Sequence, residues 1–60
     1  MFVNVTQVLP EGRNQAIEVN ADEIEEVRPE GNHLMLLMQS GHSIEIAETK
    51  EQWDRLRQEP

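Results

Sequence analysis

Apolar and polar residues alternate from the first positions of the chain. Val3 and Val5 are separated by Asn4 and Thr6, while Phe2 and Val8 fall on the opposite face. A period of two sustained over several residues predicts a half-buried strand, here Met1–Leu9. Pro10-Glu11-Gly12-Arg13-Asn14 is rich in turn formers and predicts a hairpin loop. A second strand follows over Gln15–Val19, with Ile17 and Val19 inward and Glu18 outward. Asn20-Ala21-Asp22-Glu23 then breaks the alternation. Asn and Asp side chains hydrogen-bond nearby backbone N–H groups, so this segment predicts one tight or 3₁₀ turn that returns Ile24 to the core. Glu25–Arg28, with Val27 inside, is the third strand, and Pro29-Glu30-Gly31-Asn32 the turn after it.

Leu34-Met35-Leu36-Leu37-Met38 is apolar on both faces. In a small sheet such a run predicts a central strand covered on both sides, with Leu34, Leu36 and Met38 on one side and Met35 and Leu37 on the other. Ser40-Gly41-His42 supplies a hairpin turn into a fifth strand, Ser43–Ala47, where Ile44 and Ile46 alternate against Ser43 and Glu45. The period then changes. Thr49-Lys50-Glu51-Gln52 has the form of a capping box, in which hydroxyl and amide satisfy two helix-end N–H groups reciprocally. A helix over Thr49–Gln58 is expected. Glu51 lies near its start and Arg55 and Arg57 near its end, the arrangement the helix dipole favours. Glu51 and Arg55 are also spaced for an i,i+4 pair. Trp53 and Leu56 form its only apolar stripe, so it must dock through Trp53.

These elements predict a mainly β fold: a small antiparallel five-stranded sheet or partly open barrel with one C-terminal α-helix, filling residues 1–60 as a single domain. Length limits what such a domain can do alone. Sixty residues bury only about 60% of their unfolded surface, and chains this short usually add disulfides, metals or self-association. The chain has no Cys, which leaves self-association. One helix covers one face of the sheet at best. The apolar remainder, namely Phe2, Val8, Met35 and Leu37, predicts a homo-oligomer, with a symmetric dimer the simplest form. Those four residues and Trp53 are the candidate interaction positions.

Charge narrows the partners. Five Lys and Arg stand against twelve Asp and Glu, a formal net charge of -7. Nucleic-acid binding needs basic residues to neutralise phosphates, and an anionic membrane surface repels such a chain. No run approaches the roughly 18 apolar residues of a membrane span. Met1-Phe2-Val3-Asn4 lacks the basic and apolar regions of a signal peptide. A cytoplasmic location is the expectation.

Candidate chemistry is sparse. Glu18, Asp22, Glu23, Glu25, Glu26 and Glu30 make a candidate acidic patch. A calcium loop needs oxygen ligands spaced around a turn glycine. Asp22-Glu23-Ile24-Glu25-Glu26 has no Gly, so a solvated acidic edge that blunts unwanted strand pairing is the better reading. His33 and His42 flank the apolar strand at opposite ends, too far apart in one chain to converge on zinc. They are expected as exposed turn residues. Ser40-Gly41-His42-Ser43 sets Ser beside His with neither an orienting acid nor an oxyanion hole. No catalytic residue, metal ligand or cofactor site is assigned, and the chain is expected to be non-enzymatic.

Met1-Phe2-Val3-Asn4-Val5-Thr6, Val19-Asn20-Ala21-Asp22-Glu23-Ile24-Glu25, Leu34-Met35-Leu36 with Ser40-Gly41, and Glu48-Thr49-Lys50-Glu51 occur in that order. Their succession resembles the FlbD-type flagellar and swarming-motility proteins, small bacterial cytosolic proteins, over nearly the whole chain. The resemblance implies an accessory role in motility exercised through an unknown protein partner. The outline of strands and terminal helix is also similar to the carbon storage regulator family of RNA-binding dimers. The first strand here carries no Arg or Lys, however, and the RNA-binding chemistry is missing. Two functions remain: a cytosolic protein-interaction module, or an acidic prophage-type protein that mimics nucleic acid and occupies a basic partner.

Overall fold

The computed structural model describes residues 1–58. It contains β1 (Phe2–Val8), a tight turn (Pro10–Gly12) with left-handed backbone at Glu11, β2 (Asn14–Asn20), a 3₁₀ turn (Ala21–Glu23), β3 (Ile24–Glu30), β4 (His33–Met38), β5 (Ser43–Ile46) and the helix α1 (Lys50–Gln58). The strands form one open antiparallel five-stranded sheet in the order β2-β1-β5-β4-β3.

Period-two patterning sorts the side chains as expected. On one face Val3 opposes Val19, Val5 opposes Ile17, Leu34 opposes Ile46, Leu36 opposes both Val27 and Ile44, and Met38 opposes Ile24. Helix α1 closes this face. Its Trp53 is 1% exposed and completes a core of Val3, Val5, Val19, Leu34, Leu36, Met38 and Ile46, with Leu56 packed beside it. Dispersion and apolar burial concentrated on that one indole hold the helix, which is too short to persist alone.

The turns follow the local chemistry. Asn20 Oδ1 accepts the Asp22 N–H at 3.0 Å and caps the 3₁₀ turn Ala21–Glu23. Gly31 has φ 59° in the two-residue connection between Glu30 and His33, the positive first position of a type II′ hairpin turn. The capping box at α1 closes in both directions: Gln52 N–H donates to Thr49 Oγ1 at 3.2 Å and Thr49 N–H to Gln52 Oε1 at 2.9 Å.

Most strand ends shift by one or two residues from the sequence expectation, and two of the shifts bear on the surface of the sheet. β3 runs through Pro29 instead of ending at Arg28, because Pro29 opposes Leu34 between the hydrogen-bonded pairs of an edge strand. Its missing N–H therefore costs no ladder bond. His33 belongs to β4 and is half-buried, not an exposed turn residue.

The sheet has a narrow waist. β1 and β5 share the single register pair Gln7 with Ile46. Ala47 N–H adds a bond to the Thr6 carbonyl at 2.8 Å. The Thr6 N–H goes to a side chain, donating to both Glu48 carboxylate oxygens at 2.9 and 3.0 Å.

Candidate interaction surface

The face of the sheet away from α1 carries three of the expected interaction residues, Val8, Met35 and Leu37. The β3–β4 and β4–β5 registers set Met35 between Arg28 and Glu45, and Leu37 between Glu26 and Ser43. Continuing the Gln7–Ile46 register by one residue brings Val8 beside Glu45. Met35, Leu37 and Val8 are each half-buried, so they form a small apolar stripe across β4 and towards β1. Hydrogen-bonded polar pairs border it. Arg28 contacts Glu26 at 3.0 Å. His33 Nδ1 lies 2.7 Å from Glu45 Oε2; the carboxylate only accepts, so Nδ1 carries the proton. An apolar centre with a polar, hydrogen-bonding rim is the anatomy of a protein contact surface.

Phe2 and Trp53 do not belong to this stripe. Phe2 is 63% exposed but sits at the other end of β1, roughly 20 Å from Val8 at strand rise. Trp53 lies inside the core and offers nothing to a partner. The candidate contact surface therefore reduces to Val8, Met35 and Leu37, with Phe2 a separate exposed aromatic beside Asn20.

The acidic residues also divide. Glu18 lies on β2 and Glu25, Glu26 and Glu30 on β3, at opposite edges of the sheet. Asp22 and Glu23 sit in the turn that connects them. Asp22 Oδ2 accepts from the Met1 amine at 2.6 Å. The register slips between Ile24 and Glu26, a bulge at Glu25. Bulge, Pro29 and four charged residues together make β3 a protected edge. β2 has none of these devices except Glu18.

His42 Nδ1 lies 2.9 Å from Ser40 Oγ, a local contact within the β4–β5 turn. Among the described residues no group of three His, Cys, Asp or Glu side chains converges as a metal site. A shallow depression of about 290 Å3 lies between the β3–β4 turn and the start of α1, lined by Asn32, His33, Leu34, Thr49 and Lys50 among others. Thr49 is committed to the helix cap and Lys50 to Asp54 at 2.7 Å. No helix among the described residues is long and apolar enough to cross a membrane.

Two contacts were not legible in the sequence. Glu45 was legible as outward-facing, but its partner His33 required the β4–β5 register. Glu48 read only as part of the step into α1. Its role at Thr6 joins residues 42 apart in the chain, a separation no local pattern encodes. Comparison with protein-family models, with curated proteins and with solved structures finds no match in any of the three.

Proposed function

We propose that the chain is a non-enzymatic protein-interaction module of the bacterial cytoplasm, self-associating, that engages a protein partner through the sheet face away from α1. The observation that carries this reading is the Val8–Met35–Leu37 stripe. Its apolar side chains are half-buried on a face that no helix among the described residues covers, and the Glu26–Arg28 and His33–Glu45 pairs border it. Desolvating such a stripe against a complementary surface supplies affinity, while the rim sets orientation. The resemblance to FlbD-type proteins points the search toward a flagellar or swarming component and carries the motility part of the reading alone.

The test is capture of flagellar and swarming components by the tagged chain, compared with its Met35→Glu and Leu37→Glu variants. Retention by the parent and at least tenfold loss with either variant supports the reading. Equal retention by all three overturns the face. Capture of a nuclease or transcription factor, abolished by Glu26→Lys and Glu30→Lys, supports nucleic-acid mimicry instead. That alternative ranks second because the sheet separates Glu18 from the β3 carboxylates and Glu26 is already paired with Arg28.

A further inference from the structure

Edge strand β2 is open to addition, and its hydrogen-bonding phase can be read directly. Leu9 N–H donates to the Arg13 carbonyl and Ala21 N–H to the Met1 carbonyl, both at 2.7 Å. These bonds continue the β1–β2 register at its two ends. In an antiparallel ladder bonded pairs alternate, so Gln15, Ile17 and Val19 face β1. The N–H and C=O groups of Asn14, Ala16, Glu18 and Asn20 therefore point away from the sheet. Ala16 and Glu18 are exposed, and no side chain or loop among the described residues takes their backbone groups. Unlike β3, this edge carries no proline and no bulge. An unprotected edge strand is a template for another strand.

We infer that a second copy of this chain pairs with β2, strand against antiparallel strand, about a twofold axis through Ile17. Ile17 is the midpoint of the seven-residue strand Asn14–Asn20, so this register pairs its full length. It matches the outward phase: Ala16 and Glu18 of one copy face Glu18 and Ala16 of the other as bonded pairs. Ile17 meets its own symmetry mate on the core face, where it is half-buried in the single chain. Charge excludes one of the two neighbouring registers. A shift of one step along the strand in one direction sets Glu18 against Glu18, a like-charge pair across the strands. The Ile17-centred register sets Glu18 against an alanine. At its ends Arg13 comes opposite Ala21 of the second copy, next to Asp22 and Glu23. Arg13 and Glu23 have no ion-pair partner among the described residues, and the pairing supplies one for each, twice. The product is a continuous ten-stranded sheet, with both helices on one side and both Met35–Leu37 stripes on the other. It rests on the self-association proposed above but not on any partner, and it leaves the partner face free in each copy.

Sedimentation equilibrium of the full chain from about 5 to 200 μM, a range suited to a small interface, tests it with three variants. The parent is expected to pass from 7.0 kDa to twice that mass. Ala16→Pro removes an outward donor that β1 does not use; it should leave the far-UV spectrum unchanged and weaken association at least tenfold. Ala16→Lys sets an ammonium against Glu18 of the second copy and should tighten association about threefold to tenfold, and Ala16→Glu should weaken it by a similar factor. At about 0.3 M salt, where the net-charge repulsion is largely screened, opposite signs for those two substitutions also exclude an Ala16-centred register, in which both introduced charges would face themselves. A parent that stays at 7.0 kDa overturns the inference. So does a dimer that Ala16→Pro leaves intact and Met35→Glu dissolves, which would move the interface to the partner face. Loss of partner capture with an unchanged dimer in Met35→Glu separates the two proposals.

Discussion

The carboxylate of Glu48 accepts the Thr6 N–H with both oxygens, at 2.9 and 3.0 Å, just beyond the last residue of β5. It stands in for a ladder partner that the strand no longer provides. Removing it leaves a partly buried N–H without an acceptor, which costs more than a hydrogen bond contributes when made. Glu48→Ala is expected to lower stability by about 1–2 kcal/mol, read as a lower urea midpoint with unchanged slope, together with faster exchange of the Thr6 amide. Glu48→Gln keeps one acceptor oxygen and should cost less. Equal stability of Glu48→Ala and the parent would mean that water satisfies Thr6 as well as the carboxylate does. Glu11 offers the opposite case. It is exposed, makes no ion pair among the described residues, and holds φ 75° in the left-handed region, where a long side chain is strained and Asn is better tolerated. Glu11→Asn should raise stability by about 0.5 kcal/mol; a fall would show that the Glu11 side chain contributes something its exposure does not suggest.

At the level of elements, the capping box and Trp53 hold α1 by different means and should fail differently. Thr49→Ala removes the acceptor of the Gln52 N–H, an expected cost of about 1 kcal/mol that frays the first turn and leaves the sheet in place. Trp53→Ala empties the centre of the core, an expected cost of about 3–5 kcal/mol. Against a total of roughly 3–9 kcal/mol for a chain of this length, that loss should abolish the cooperative thermal transition; a folded Trp53→Ala variant would show that the sheet stands without its helix. Both roles were legible in the sequence, because a capping box and a Trp53–Leu56 stripe on an otherwise polar helix are local signals. Strand existence and facing were legible for the same reason: Val3, Val5, Ile17, Val19, Leu34 and Leu36 carry their period with them. Strand order was not. It depends on β1 meeting β5 through one register pair and the Glu48 side chain, a long-range contact. The surface was half legible. Alternation put Met35 and Leu37 on the uncovered face, but only the sheet order detaches Phe2 from them and leaves β2 as the unprotected edge.

The whole molecule is two substructures, the β1–β2 hairpin and the β3–β4–β5 meander, fused by a narrow seam and by one shared core that runs from Val3 and Val19 to Leu36, Ile46 and Trp53. A formal net charge of -7 surrounds that core. Charge of one sign opposes any contact between two copies over long range, and at about 20 Å between centres the unscreened repulsion in water is roughly 10 kcal/mol. Salt removes most of it, since the Debye length falls from roughly 20 Å at 0.02 M to about 6 Å at 0.3 M. The attractive part of a β2–β2 pairing is a backbone ladder and an Ile17 contact, which salt barely touches. The Arg13 pairs at its ends are exposed and worth at most about 1 kcal/mol each. Self-association is therefore expected to strengthen as salt rises from 0.02 to 0.3 M, the reverse of the behaviour of an acidic mimic bound to a basic partner, whose affinity falls as counterions compete. Sedimentation equilibrium at the two salt concentrations reads the sign directly. Association that weakens with salt would mean that ion pairs, rather than the β2 ladder, hold the copies together.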